Sequence, residues 1–231
     1  MSTDLLEQAA AALGDLVDEV VFVGGATITL WITDPAAPPP RPTKDVDVIV
    51  EVATRSAYYA FEDRLRAIGF RNDKQVICRW HYPEPPLMLD AMPTDPELLG
   101  FSNEWQRRAF PHAAVVKLPS GAQIQAVPPP FLLATKLEAY LGRGEGDLLA
   151  SRDWADTVAL VDGREELVGE VRNAPAELTA YLVETLRGLM EGGRIVDGIR
   201  AQLLPDAISQ ARAEDVVVTR LRKIVQAGDR A

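Results

Sequence analysis

Along residues 4–16 the apolar positions fall at Leu5, Leu6, Ala9, Ala12, Leu13 and Leu16, the spacing of one helix face. Val20-Val21-Phe22-Val23 is apolar throughout and rich in β-branched residues, so it predicts a buried strand that ends at Gly24-Gly25. A short helix is expected over 26–32, packing through Ile28, Leu30 and Trp31. Prolines 35, 38, 39, 40 and 42 then bar both helix and sheet ladder over 34–42. The run 46–50 predicts a second strand, and 55–68 a helix closed by Gly69. Residues 76–82 and 87–92 predict two strands around Pro83, Pro85 and Pro86, and 114–118 with 122–127 a hairpin across Pro119-Ser120-Gly121. Beyond Pro128-Pro129-Pro130 the period becomes helical, over 131–141, 152–161, 177–190 and 206–225. The expected fold class is α+β: a mixed sheet with flanking helices over residues 1–128, followed by a C-terminal helical domain over 129–231.

Composition narrows the chemistry. The 231 residues carry a formal net charge of −10, which argues against coating nucleic acid through bulk electrostatics but leaves room for a local basic patch. Arg71, Lys74, Arg79, Arg107 and Arg108 are candidates for such a patch, although scattered charges are usually solvated faces. A single cysteine, Cys78, excludes an intrachain disulfide and a multi-Cys zinc site, and His81 and His112 are each isolated. The acidic start is unlike a secretory signal, and no apolar run approaches the roughly 20 residues of a membrane helix. A cytoplasmic location with no membrane partner is the expectation. The glycine-rich stretch 142–147 lacks the Gly-Lys-Ser/Thr ending of a P-loop and follows a helix, so it reads as a helix–helix loop.

The strongest chemical signal is strand, Gly-Gly, short helix, loop, then Thr43-Lys44-Asp45-Val46-Asp47-Val48. Side chains two apart on a strand share a face, so Asp45 and Asp47 point together while Val46 and Val48 face the core. Two adjacent carboxylates at the head of an apolar strand are costly unless a cation lies between them. Mg²⁺ is usually held by one or two carboxylates together with substrate phosphates. A strand ending in two glycines before a helix lets backbone N–H groups approach a phosphate. Alone, Gly-Gly also fits a tight turn, and the Asp pair a solvated strand end; at this spacing the two together favour a site.

Phe22-Val23-Gly24-Gly25 … Arg41-Pro42-Thr43-Lys44-Asp45-Val46-Asp47 resembles the signature of the DNA polymerase β-like nucleotidyltransferase superfamily. More narrowly it is similar to the AbiEii/MenT-type toxin nucleotidyltransferases, which show an Arg-x-Ser/Thr ahead of Asp-x-Asp, matched here by Arg41 and Thr43. Phe131–Tyr140 and Arg152–Asp156 likewise resemble that group's Lys-helix and Asp-helix. The second position is Gly25 where a serine is common, so Thr27 or Thr43 is left to supply a hydroxyl.

The resemblance implies an enzyme that transfers NMP from an NTP to an acceptor hydroxyl, the 3′ end of tRNA, as the toxin of a pair with a cognate antitoxin. It implies Mg²⁺ on Asp45, Asp47 and Asp90, with Asp90 as third ligand or as the group preparing the attacking hydroxyl. Gly24, Gly25, Arg41 and Thr43 would bind the nucleotide, Lys136 would neutralise phosphate, and Asp153 would act with it in catalysis. Plainer readings stand beside these: Asp90 as a turn cap, Lys136 as a snorkelling surface lysine, Asp153 as a helix-dipole residue. Asp156 reads as an exposed face residue. A site drawn from both parts requires the helical domain to complete a cleft with the sheet, Lys136 within reach of the Asp45/Asp47 pair. The alternatives for function are a small-molecule or protein acceptor, or a non-catalytic nucleotide-binding module.

Overall fold

The computed structural model describes residues 3–52, 54–95, 98, 103–143 and 146–227, so Gly144 and Glu145 of the glycine-rich loop lie outside the described residues. The chain divides into two units, Met1–Leu30 with Pro42–Pro128 and Trp31–Arg41 with Pro129–Ala231.

The first unit is built on a seven-stranded sheet in the order β3-β4-β5-β2-β1-β7-β6. Its strands are β1 (Val20–Val23), β2 (Asp45–Val50), β3 (Arg71–Asn72), β4 (Arg79–Tyr82), β5 (Leu87–Pro93), β6 (Ala114–Lys117) and β7 (Gln123–Ala126). β1 pairs antiparallel with β2 and parallel with β7, and β2 pairs parallel with β5, so the sheet is mixed. Helix α1 (Asp4–Leu13) buries Leu6, Ala9 and Leu13, then tightens into a 3₁₀ stretch, Gly14–Glu19, that feeds β1. Gly25–Thr27 is likewise 3₁₀ and leads into α2 (Ile28–Trp31). Thr54 caps α3 (Arg55–Ala67) by accepting a hydrogen bond from Ala57 N, satisfying one of the helix's orphan donors. Gly69 at φ 104° turns the chain out of α3, a conformation cheap only for glycine. Two expectations shift here. The strand expected over 76–82 begins only at Arg79, because Asp73 Oδ1 accepts from the N–H groups of Gln75 and Val76 and closes a turn there. Helix α4 (Glu104–Ala109), capped by Asn103, carries too few apolar positions to show a period.

The second unit is helical: α5 (Pro129–Arg143), α6 (Arg152–Gly163), α7 (Leu167–Arg172), α8 (Ala176–Glu191), α9 (Ile195–Arg200), α10 (Ala207–Arg212) and α11 (Thr219–Ala227). The helix expected over 206–225 is not uniform, since residues Ala213–Val218 form a π-helical turn between α10 and α11. The proline-rich segment packs into this unit: Thr33 N and Asp34 N both donate to Gly163 O, and Arg212 bonds Asp34 and Asp162 together. Leu132, Leu133, Leu137, Trp154, Leu160, Leu178, Leu182 and Leu186 are fully buried and form its core. Among the described residues no helix is long and apolar enough to cross a membrane.

Candidate active site

On β2 the burial alternates, with Val46 and Val48 fully buried and Asp45 and Asp47 partly open, so the two carboxylates share the accessible face. β2 lies directly beside β1, with Val23 opposite Asp47. Asp90 sits on β5 in direct register with Asp47, and residues paired in register share a face. Neighbouring strands are about 4.8 Å apart, so the sheet gathers three carboxylates on one surface.

Gly24 makes room for this arrangement. Its φ is 81°, and a Cβ there would stand 2.7 Å from Asp47 Cγ and 2.9 Å from Asp47 Cβ. Any other residue would push against the carboxylate and also strain the backbone. The hydroxyls missing at Gly25 are already committed. Thr27 is buried and donates to Gly24 O at 2.9 Å, which removes it as a phosphate ligand. Thr43 donates to Asp45 Oδ1 at 2.7 Å and so orients the first carboxylate.

A cation missed as a site residue enters the same face. Arg79 Nε donates to Asp90 Oδ1 at 2.8 Å and its Nη2 to Asp90 Oδ2 at 2.7 Å, while Nη2 also reaches Asp45 Oδ2 at 3.3 Å. Its hydrogen bonds to Asp90 raise the guanidinium's already high pKa, so it is charged at every working pH. The signal was in the sequence: Tyr82 and Leu87 close the turn, and counting back along both strands puts Arg79 opposite Asp90. Asp90, expected as third metal ligand or as the group preparing the attacking hydroxyl, has both its oxygens in this fork. Among the described residues no group of three or more His, Cys, Asp or Glu side chains is arranged to hold a metal ion. Asp45 and Asp47 fit Mg²⁺ as a pair, since one or two carboxylates plus phosphates suffice.

Of the other sheet-side candidates for a basic patch, Arg107 and Arg108 both bond Glu104. His81 pairs with Asp73 at 2.7 Å, and that contact lowers the Asp73 pKa. Cys78 is buried, and burial pushes its thiol up to about 11, so it is no nucleophile.

The second unit holds its own ionic cluster. Lys136 on α5 is 7% exposed, which excludes a snorkelling surface lysine. Its Nζ lies 2.6 Å from Asp156 Oδ2 and 3.5 Å from Asp153 Oδ1, both on α6. Arg41 Nη2 donates to Asp156 Oδ2 at 2.9 Å, and its Nε lies 2.8 Å from Asp156 Oδ1 as an ionic contact without hydrogen-bond geometry. Asp156 is 1% exposed, so the reading of it as an exposed face residue is corrected. Ser151 caps α6 by accepting from Trp154 N, and the i,i+3 spacing then turns Asp153 and Asp156 to one side. The Arg-x-Thr element thus divides its work: Arg41 is anchored on Asp156 and Thr43 on Asp45.

A family model described as nucleotidyl transferase AbiEii toxin, Type IV TA system, matches residues 4–216. The chain belongs to this family. It is therefore a nucleotidyltransferase, and its α+β fold with a seven-stranded mixed sheet is that of the nucleotidyltransferases. The family is one of toxins in toxin–antitoxin pairs, which makes a nucleotide a substrate and an antitoxin a partner. No curated protein matches the chain.

Proposed function

We propose that this toxin is Mg²⁺-dependent, transfers NMP from an NTP to the 3′-terminal hydroxyl of tRNA, and thereby stops translation. The observation that carries the reading is the packing of Asp47 into the space left by the missing side chain of Gly24, with Asp45 beside it on the same face. A carboxylate pair fixed this way is a site for a hard cation. Bound there, Mg²⁺ supplies neutralisation of the triphosphate's charge.

The chain's own residues do the rest. Gly25, the partly exposed glycine, offers its backbone to phosphate oxygens beside Gly24, whose side-chain space Asp47 fills, and Thr43 keeps Asp45 turned to the face. Asp90 retains two of a carboxylate's roughly four lone-pair sites after Arg79 takes its share, enough to accept the proton of an attacking hydroxyl. That oxygen then bonds to the α-phosphorus as the bond to the β-phosphate breaks, and pyrophosphate departs with the electron pair. Lys136, 2.6 Å from Asp156 and 3.5 Å from Asp153, is proposed as a cation that meets phosphate, with Asp153 acting beside it. The test is incubation with labelled NTPs and total tRNA: label becomes RNA-bound with the native chain and not with Asp45→Asn.

One observation favours a second acceptor. With a net charge of −10, and with Arg107 and Arg108 both tied to Glu104, the chain offers a polyanion little bulk attraction. A protein or small-molecule hydroxyl would face no such repulsion. The same assay separates the two, because label then appears off RNA.

A further inference from the structure

We propose that Arg79 is a positioning residue that acts as the built-in counter-ion of the carboxylate face, holding Asp90 in a two-point fork and covering Asp45 until a divalent cation and nucleotide take Asp45 over. The inference rests on the carboxylate-site reading above and adds the residue that makes the unloaded face tolerable.

The geometry has a firm half and a loose half. Both contacts to Asp90 are short, 2.8 and 2.7 Å, and match the parallel fork of a guanidinium on a carboxylate. The contact to Asp45 is a single one at 3.3 Å, made by an Nη2 that already serves Asp90. Asp45 is the more open of the two carboxylates, its side chain 33% exposed against 12% for Asp90. Asp45 can therefore exchange its partner while Asp90 keeps its own. Arg79 cannot turn away to the other face, because the next residue, Trp80, is fully buried there and Arg66 stacks over its ring at 5.1 Å. The register Arg79 opposite Asp90 is fixed by the β4–β5 ladder. Three like charges across two adjacent strands would otherwise repel. Lysine would supply the charge as a point but not the fork.

Two variants, Arg79→Gln and Arg79→Lys, test this against the native chain, with Mn²⁺ as probe read by calorimetry and melting. Arg79→Gln should melt lower than native in EDTA and bind Mn²⁺ about tenfold more tightly, since a competing charge has gone. Arg79→Lys should bind Mn²⁺ within about threefold of native. Its kcat for nucleotide transfer should still fall at least tenfold with KM for NTP unchanged, because Asp90 is no longer held at two points. Equal or weaker Mn²⁺ binding by Arg79→Gln overturns the inference. Should Arg79→Gln not fold, the native chain decides: the Arg79 Nε–H resonance, assigned by its loss in Arg79→Lys, should stay in place when Mg²⁺ and a non-transferable NTP analogue are added, while the Nη signals move. Loss of the protected Nε–H signal on loading also overturns it. If the native chain binds no Mn²⁺ at all, the carboxylate-site reading fails with it; if native and Arg79→Gln bind alike, that reading stands and only the role of Arg79 falls.

Discussion

The carboxylate of Asp47 occupies the volume that any side chain at position 24 would need, so Gly24 and Asp47 are two halves of one feature. Strand β1 ends at Val23, one residue before that space.

Gly24→Ala tests the pairing. At φ 81° and ψ −165° the backbone is in a region essentially reserved for glycine, which costs an alanine about 1–3 kcal/mol, and the new methyl displaces the Asp47 carboxylate. Displacement of about an ångström at a reacting centre costs on the order of 10²-fold in rate. Transfer should therefore drop by at least that factor while denaturant unfolding shows only the modest backbone penalty. A variant with native activity would show that Asp47 needs no room at Gly24.

Asp156 is predicted to hold the second unit together. It is the shared partner of Lys136 and Arg41, and removing its charge takes the 2.6 Å contact from the buried Lys136, whose other carboxylate, Asp153, stands at 3.5 Å. Asp156→Asn should cost about 3–5 kcal/mol in urea unfolding. A surface residue would change stability by about 0.5 kcal/mol or less, and that outcome would refute the cluster.

Acid should weaken the Asp34–Arg212 contact. The hydrogen bond from Arg212 holds the Asp34 carboxyl below its ordinary 3.8, so its stabilisation is fully present above that value and disappears as pH falls through the lower folded-state pKa. The native chain should exceed Asp34→Asn in stability by about 1.5–3 kcal/mol near pH 6, the scale of a hydrogen bond to a charged group. That gap should narrow below pH 3.8. A gap that stays constant from pH 6 to pH 3 would remove Asp34 from the account.

Much of this was legible in the sequence because the signals were local. The apolar run 20–23, the paired glycines and the alternation Asp45-Val46-Asp47-Val48 are each set by neighbours a few residues away, and the sheet formed from them as expected. Asp90 stood out as an isolated charge in an apolar run, but its place on a strand beside Asp47 was expected from the family resemblance and not from any local pattern. What stayed hidden needed distant partners. The proline segment Trp31–Arg41 has no pattern of its own, and it joins the helical unit through distant residues that include Gly163, Glu165, Glu166, Arg212 and Asp156. Asp156 looked exposed because a polar residue on a helix is usually solvated; its burial is compensated by cations from other elements, Lys136 on α5 and Arg41 in the proline segment. Arg79 was counted among scattered basic residues because its partner lies across a strand pairing, not along the chain. Helices of six residues such as α4, α7 and α9 are too short to show a period.

Single-turnover transfer of α-labelled NTP by Asp45→Asn measures most directly whether the Asp45/Asp47 face carries nucleotidyl transfer. The substitution keeps the shape and the hydrogen bond from Thr43 while removing the charge, so circular dichroism and melting should match the native chain. Transfer to total tRNA should fall by a factor of at least about 10³, a loss of roughly 4 kcal/mol of transition-state stabilisation. Native transfer by a folded Asp45→Asn protein would contradict the account.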